Sequence, residues 1–133
     1  MKKVLALIAH NSKKEDLVSL IKAHREELID VDLVATLGTG QLVESKAGVS
    51  VSLLDKGTRG GDLEIGALVA TGEVNAVIFL CDPMTASPGE PDVSPLLRVC
   101  NIHNVPLATN LTTAEAVVHL LAEHSEEMAA KHG

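Results

Sequence analysis

The stretch VNAVIFLCDP, residues 74–83, decides the fold. It is the most strongly apolar run in the chain, and it stops at Asp82-Pro83, where proline cannot donate to a sheet ladder. A short, continuous apolar run of this kind reads as a central strand covered on both faces, as in a parallel sheet. Residues 4–9 and 31–35 have the same character. Residues 105–109 make a last strand, shortened by Pro106, and residues 49–54 alternate as an edge strand would. Helical patterns separate these runs. Alternation of strand and helix along one 133-residue chain predicts a single α/β domain, residues 1–133, with a mainly parallel sheet.

The helices carry their own punctuation. Ser12 with Glu15 forms a capping-box pattern ahead of a face made by Leu17, Leu20, Ile21, His24 and Leu28. Residues 36–40 read as a small, hydroxyl-rich loop before a short helix through Lys46 that Gly48 ends. Asp62 reads as the N-cap of a helix whose face is Leu63, Gly66, Ala67 and Ala70, with Gly72 as its stop. Residues 84–91 hold Pro88, Gly89 and Pro91 and read as a loop. A helix is expected over residues 92–102, with Pro95 in its first turn. Thr112 with Glu115 is a second capping box, before a face of Ala114, Val117, Val118 and Leu121. The polar tail, residues 125–133, is expected to fray.

Composition narrows the function. Hydrophobic residues at 46% against 22% charged allow a packed core and exclude a disordered chain. Aromatics at 1% leave no platforms for stacking bases, and a net charge of −7 disfavours general nucleic-acid or anionic-membrane surfaces. A local pocket for one small anion stays open. Cys81 and Cys100 lack metal-ligand spacing and read as two buried, reduced thiols. The first apolar run ends at His10 without a cleavage pattern, and no stretch reaches membrane-spanning length, so the expected location is cytoplasmic.

The segment KGTRGGDLEIGA, residues 56–67, says most about chemistry. Gly60 and Gly61 precede Asp62 at a helix start, where glycines admit a ligand and free amides favour an anion. Alone, Asp62 is most simply a helix cap. Ligand crevices in α/β sheets lie beyond the carboxyl ends of the strands. His10, Asn11, Lys14, Thr36, Thr39, Asp82 and Asp92 all follow strand candidates and converge on that edge near Asp62. Each has a plain alternative. Lys14, Lys56 and Arg59 can be solvated, Thr36 and Thr39 can form turns, Asp82 can end a strand, and Asp92 can cap a helix. His24, His103, His119 and His124 carry no assigned chemistry.

The segments LALIAHN with Lys14, VATLGTG, GGDLEIGA, VIFLCDP, EPDVSPLLRVC and VPLATN, in this order, resemble the methylglyoxal synthase family from about residue 4 to residue 121. That resemblance implies three layers: a five-stranded, mainly parallel sheet flanked by helices. It implies a homohexamer and conversion of glycerone phosphate to methylglyoxal and inorganic phosphate, with neither a metal nor an organic cofactor. By the same resemblance Asp62 is the catalytic base, and His10 and Lys14 are ligand positions. Thr36, Leu37, Gly38 and Thr39 match the phosphate loop, and Lys56 and Gly57 its second half. Asp82 and Asp92 match acids around the active site, and Gly89 stands where the family has a histidine that polarises the substrate oxygen. Asn11 replaces an aspartate, Leu37-Gly38 replaces Gly-Thr, and Lys56 replaces a serine. Two readings follow. One is a synthase in which His10 or Lys56 polarises the substrate. The other is a weakly active or non-catalytic module that binds a phosphorylated metabolite.

Overall fold

The computed structural model describes residues 2–84 and 89–132, with side chains except those of Thr58 and residues 124–132. Its elements are β1 (Lys3–Ala9), α1 (Lys14–Ala23), β2 (Val31–Ala35), α2 (Leu37–Ala47), β3 (Ser52–Leu53), α3 (Gly61–Ala70), β4 (Ala76–Leu80), α4 (Ser94–His103), β5 (Leu107–Ala108) and α5 (Leu111–His132). Short 3-10 turns at Asn11–Lys13 and Gly57–Arg59 precede α1 and α3. The five strands are all parallel, in the order β3-β2-β1-β4-β5.

Strand geometry explains the layers. Successive side chains point to opposite faces, so an all-apolar strand feeds two cores at once. In β1, Leu5, Leu7 and Ala9 join one core with α1, α2 and α5. Ala6 and Ile8 join the other with Ile65 and Val69 of α3 and Leu96 and Cys100 of α4. β4 divides the same way, with Ile78 on the first side and Phe79 on the second. The result is a helix–sheet–helix sandwich. The order of strands reverses between β1 and β4, which makes their carboxyl ends the switch point where a crevice opens.

Several local expectations shift. Ser12 caps nothing: its hydroxyl donates to the Asp82 carboxylate, and α1 starts after the 3-10 turn with Lys13 at the cap position. The supposed loop over residues 36–40 is largely the first turn of α2, with Thr36 at its cap position. Gly48, at φ +69°, closes α2 as expected. Gly60 at φ +94° takes the cap position of α3, which puts Asp62 one residue inside the helix. The buried stripe of α3 is Gly61, Asp62, Ile65 and Val69, and Leu63 faces solvent. That helix is apolar nearly all round, so periodicity could not choose its face. Asn110, not Thr112, caps α5, accepting from the Thr113 N–H at 3.1 Å.

The edge strand β3 shrinks to two exposed residues. Helix α5 runs on to His132 rather than fraying at Ser125, because Glu, Met, Ala and Lys are strong helix formers and no glycine intervenes before Gly133. Of the expected loop at residues 84–91, residues 85–88 lie outside the described residues. Cys100 is buried, but Cys81 is only partly so; burial raises the pKa of both thiols, and nearby Asp92 adds to the effect at Cys81.

Candidate active site at the carboxyl edge of the sheet

A cavity of about 260 Å³ opens beyond β1 and β2. Its lining includes Asn11, Lys14, Thr36, Gly38, Thr39, Gln41, Lys56, Gly57, Glu90 and Pro91. Six residues expected at a phosphate site, Lys14, Thr36, Gly38, Thr39, Lys56 and Gly57, are therefore brought together. The amides of a first helical turn have no intrahelical acceptor, and the helix dipole makes that end positive. Here the end belongs to α2. The Lys14 ammonium sits 3.0 Å from where a side chain on Gly38 would begin, directly over that turn. Glycine at position 38 thus leaves room for a cation beside free amides. Thr36 and Thr39 are almost fully buried around the same turn, and Leu37 is half-buried with its N–H directed at the Asp55 carbonyl, 3.3 Å away.

Asp62 is reached through Gly61. A Cβ on Gly61 would stand 2.1 Å from the Asp55 carbonyl oxygen and 2.9 Å from Thr36 Cγ2, so only glycine lets the start of α3 dock against the start of α2. This contact turns the stripe at positions 61, 65 and 69 inward and carries Asp62 with it, 9% exposed. Among the described residues, no donor is recorded on the Asp62 carboxylate. It is a nearly buried acid with its lone pairs uncommitted.

His10 is 7% exposed and held on both nitrogens. The Asp82 N–H donates to Nδ1 at 2.8 Å, so Nδ1 is an acceptor and the proton of the neutral ring lies on Nε2. That Nε2–H donates to the Pro91 carbonyl at 2.8 Å. The ring edge also packs on Phe79, with centroids 5.2 Å apart. Asp82, 8% exposed, accepts from Ser12 and from the Met84 N–H. His10 and Asp82 therefore fasten the ends of β1 and β4 to the Pro91 segment across the switch point.

A family model described as "MGS-like domain" matches residues 16–109. The chain belongs to the MGS-like domain family. It is 52% identical over 116 residues to a protein of Thermus thermophilus named methylglyoxal synthase, covering 87% of this chain and 92% of that one. It is 47% identical over 119 residues to the methylglyoxal synthase of Bacillus subtilis, covering 90% and 87%. Among solved structures, methylglyoxal synthase from Elizabethkingia anophelis NUHP1 superposes with a TM-score of 0.85 at 38% identity, over 88% of this chain and 77% of that chain.

Within this MGS-like domain, the other sequence candidates occupy different places. Asp92 is exposed and accepts from the backbone N–H and hydroxyl of Ser94, both at 3.2 Å, at the start of α4. Gly89 has φ +86°, and among the described residues nothing lies within 4 Å of a Cβ built on it. The sequence pointed less clearly to Glu90, whose carboxylate accepts from the Asn11 N–H at 2.9 Å, and to Pro91, whose ring lies 3.1 Å from a Cβ position on Gly57. Both belong to the segment that follows β4, and an acid beside a proline at the ligand edge was the available signal. Asp55 was harder to find, because its carbonyl rather than its side chain ties the two helix starts.

Proposed function

We propose that this chain is a methylglyoxal synthase, a carbon–oxygen lyase that converts glycerone phosphate (dihydroxyacetone phosphate) to methylglyoxal and inorganic phosphate. The observation that carries this reading is the nearly buried Asp62 carboxylate, next in sequence to Gly61, whose backbone docks against Thr36 at the start of α2. The substrate phosphate sits at the first turn of α2, on the amides of residues 38 and 39, the hydroxyls of Thr36 and Thr39, and the Lys14 ammonium. Lys56 and Gly57 close its other side. Asp62 takes a proton from the carbon that bears the hydroxyl. The electron pair left behind forms an enediolate, which expels phosphate as the carbon–oxygen bond breaks. The enol that remains ketonises to methylglyoxal, so all atoms of the substrate are accounted for without water or an oxidant.

Lys14 serves twice in this scheme. It neutralises the bound phosphate and then the charge that grows on the leaving group. His10, neutral with its proton on Nε2, is the donor nearest to the switch point; a substrate oxygen reaches it by displacing the Pro91 carbonyl. Lys56, exposed at the rim, is the second donor for the developing enediolate. Asp82 holds the tautomer of His10, and Asp92 positions α4 behind the loop. The chain works as a cytoplasmic homohexamer in this reading; no helix among its described residues is long and apolar enough to cross a membrane.

A colorimetric assay of methylglyoxal from glycerone phosphate tests the proposal, with Asp62→Asn as its control. Turnover by the native chain and a loss of about 10²–10⁴ in kcat in the variant, the usual worth of a positioned general base, are expected. Phosphate binding without any turnover would assign the chain to the binding-module reading instead.

A further inference from the structure

Far from the catalytic edge, the turn after α1 meets the middle of α5 through three side chains. His24 Nδ1 lies 2.7 Å from Glu27 Oε1, and His119 Nδ1 lies 2.8 Å from Glu27 Oε2. The two imidazoles stand edge to face, with centroids 5.5 Å apart and planes at 88°. One carboxylate thus takes one ring nitrogen on each oxygen. The potential ligand atoms all lie within 4.8 Å of one another. Side-chain exposure rises from 16% at His24 to 36% at Glu27 and 56% at His119, so the cluster is anchored on its inner side and open to solvent on its outer side.

We propose that His24, Glu27 and His119 form a binding site for a borderline divalent transition ion, zinc foremost. Two imidazole nitrogens and one carboxylate oxygen are the donor set such ions prefer, and three protein ligands leave a fourth position for water. Calcium and magnesium are disfavoured, because they take oxygen ligands. Ligand bonds of about 2.0–2.1 Å place neighbouring tetrahedral donors roughly 3.3 Å apart. The ligand atoms, one per residue and all within 4.8 Å of one another, reach that spacing by side-chain rotation. Each neutral imidazole moves its proton from Nδ1 to Nε2 and offers the Nδ1 lone pair to the ion.

The bound ion links two elements that otherwise touch through their packed faces. Because an ion that binds only the folded chain adds stability as the logarithm of one plus its free concentration over Kd, zinc at this site raises the unfolding temperature. Binding and stability can be read on the full chain. Zinc chloride is titrated by calorimetry, and cobalt(II) is followed by its visible absorption. One ion per chain is expected. His119→Ala and Glu27→Gln, both at exposed side chains, should each weaken binding at least about tenfold and abolish the zinc-dependent rise in unfolding temperature. Glu123→Gln, an exposed acid of α5 outside the cluster, should leave both unchanged. Circular dichroism checks that the variants are folded. Zinc binding of undiminished affinity in His119→Ala and Glu27→Gln would overturn the proposal, and so would the absence of any cobalt band at millimolar ion.

Discussion

A methyl group on Gly61 would lie 2.1 Å from the Asp55 carbonyl oxygen, a distance no real Cβ contact shows. That oxygen also faces the Leu37 N–H at the start of α2. Gly61→Ala must therefore push two helix starts apart. We expect a loss of about 1–3 kcal/mol in stability, as for other overpacked sites, measured by denaturant unfolding. The larger effect should be on chemistry, because Asp62 follows Gly61 in sequence and a shift of about 1 Å at a catalytic group costs roughly a hundredfold. A Gly61→Ala variant with native kcat would mean that Asp62 is not held through this contact. Gly89 poses the opposite question. Among the described residues none crowds it, but its φ of +86° disfavours any side chain by roughly 1–2 kcal/mol. A histidine there supplies a donor worth about 3 kcal/mol if well aimed. For Gly89→His we expect kcat to rise about tenfold with KM little changed, rather than the hundredfold a strain-free donor gives. An unchanged kcat in a folded variant would show that His10 or Lys56 already supplies that donor.

At the scale of elements, α2 supplies the cavity with its turn of amides and hydroxyls. Its exposed first turn, the buried hydroxyls of Thr36 and Thr39, and Lys14 from α1 meet in an otherwise acidic protein. Lys14→Ala removes a charge-assisted contact worth about 1.5–3 kcal/mol, so binding of inorganic phosphate should weaken about ten- to a hundredfold, with a fall in kcat/KM. Calorimetric titration with phosphate checks the first, and equal affinity in the variant would place the anion elsewhere. These elements differ in how clearly the sequence announced them. β1, β2 and β4 were legible because strands buried on both faces must be apolar throughout, and their ends fix the edge where the candidate site lies. Helix starts were less legible. Ser12 and Thr112 had capping patterns, but the Ser12 hydroxyl goes to Asp82, seventy residues away, and Asn110 takes the cap of α5. The face of α3 was hidden for a different reason. Its orientation is set by the Gly61–Asp55 backbone contact, and no side-chain periodicity records a backbone contact. The same limit applied to His10. Its position at a strand end was visible, but its tautomer depends on the N–H of Asp82 and the carbonyl of Pro91.

For the molecule as a whole, the helix–sheet–helix sandwich buries the sheet on both faces yet leaves large apolar side chains outside. Leu63 on α3 is 62% exposed, Ile102 on α4 65%, and Leu97 on α4 45%. α3 and α4 pack against each other on one face of the sheet, so these residues decorate a single layer of the sandwich. Scattered apolar residues are normal on a monomer, but several on one helical layer of a small domain are what an assembly would cover. The proposed assembly has six copies. Light scattering at micromolar concentration should then report about six times the 13.9 kDa chain mass. Leu63→Glu combined with Ile102→Glu places charges on that layer without touching either core. If this layer forms the contacts, the double variant should shift the mass toward smaller species while circular dichroism stays native. A hexamer that survives the double substitution would put the contacts on another face, and a native chain that scatters as a monomer would reject assembly altogether.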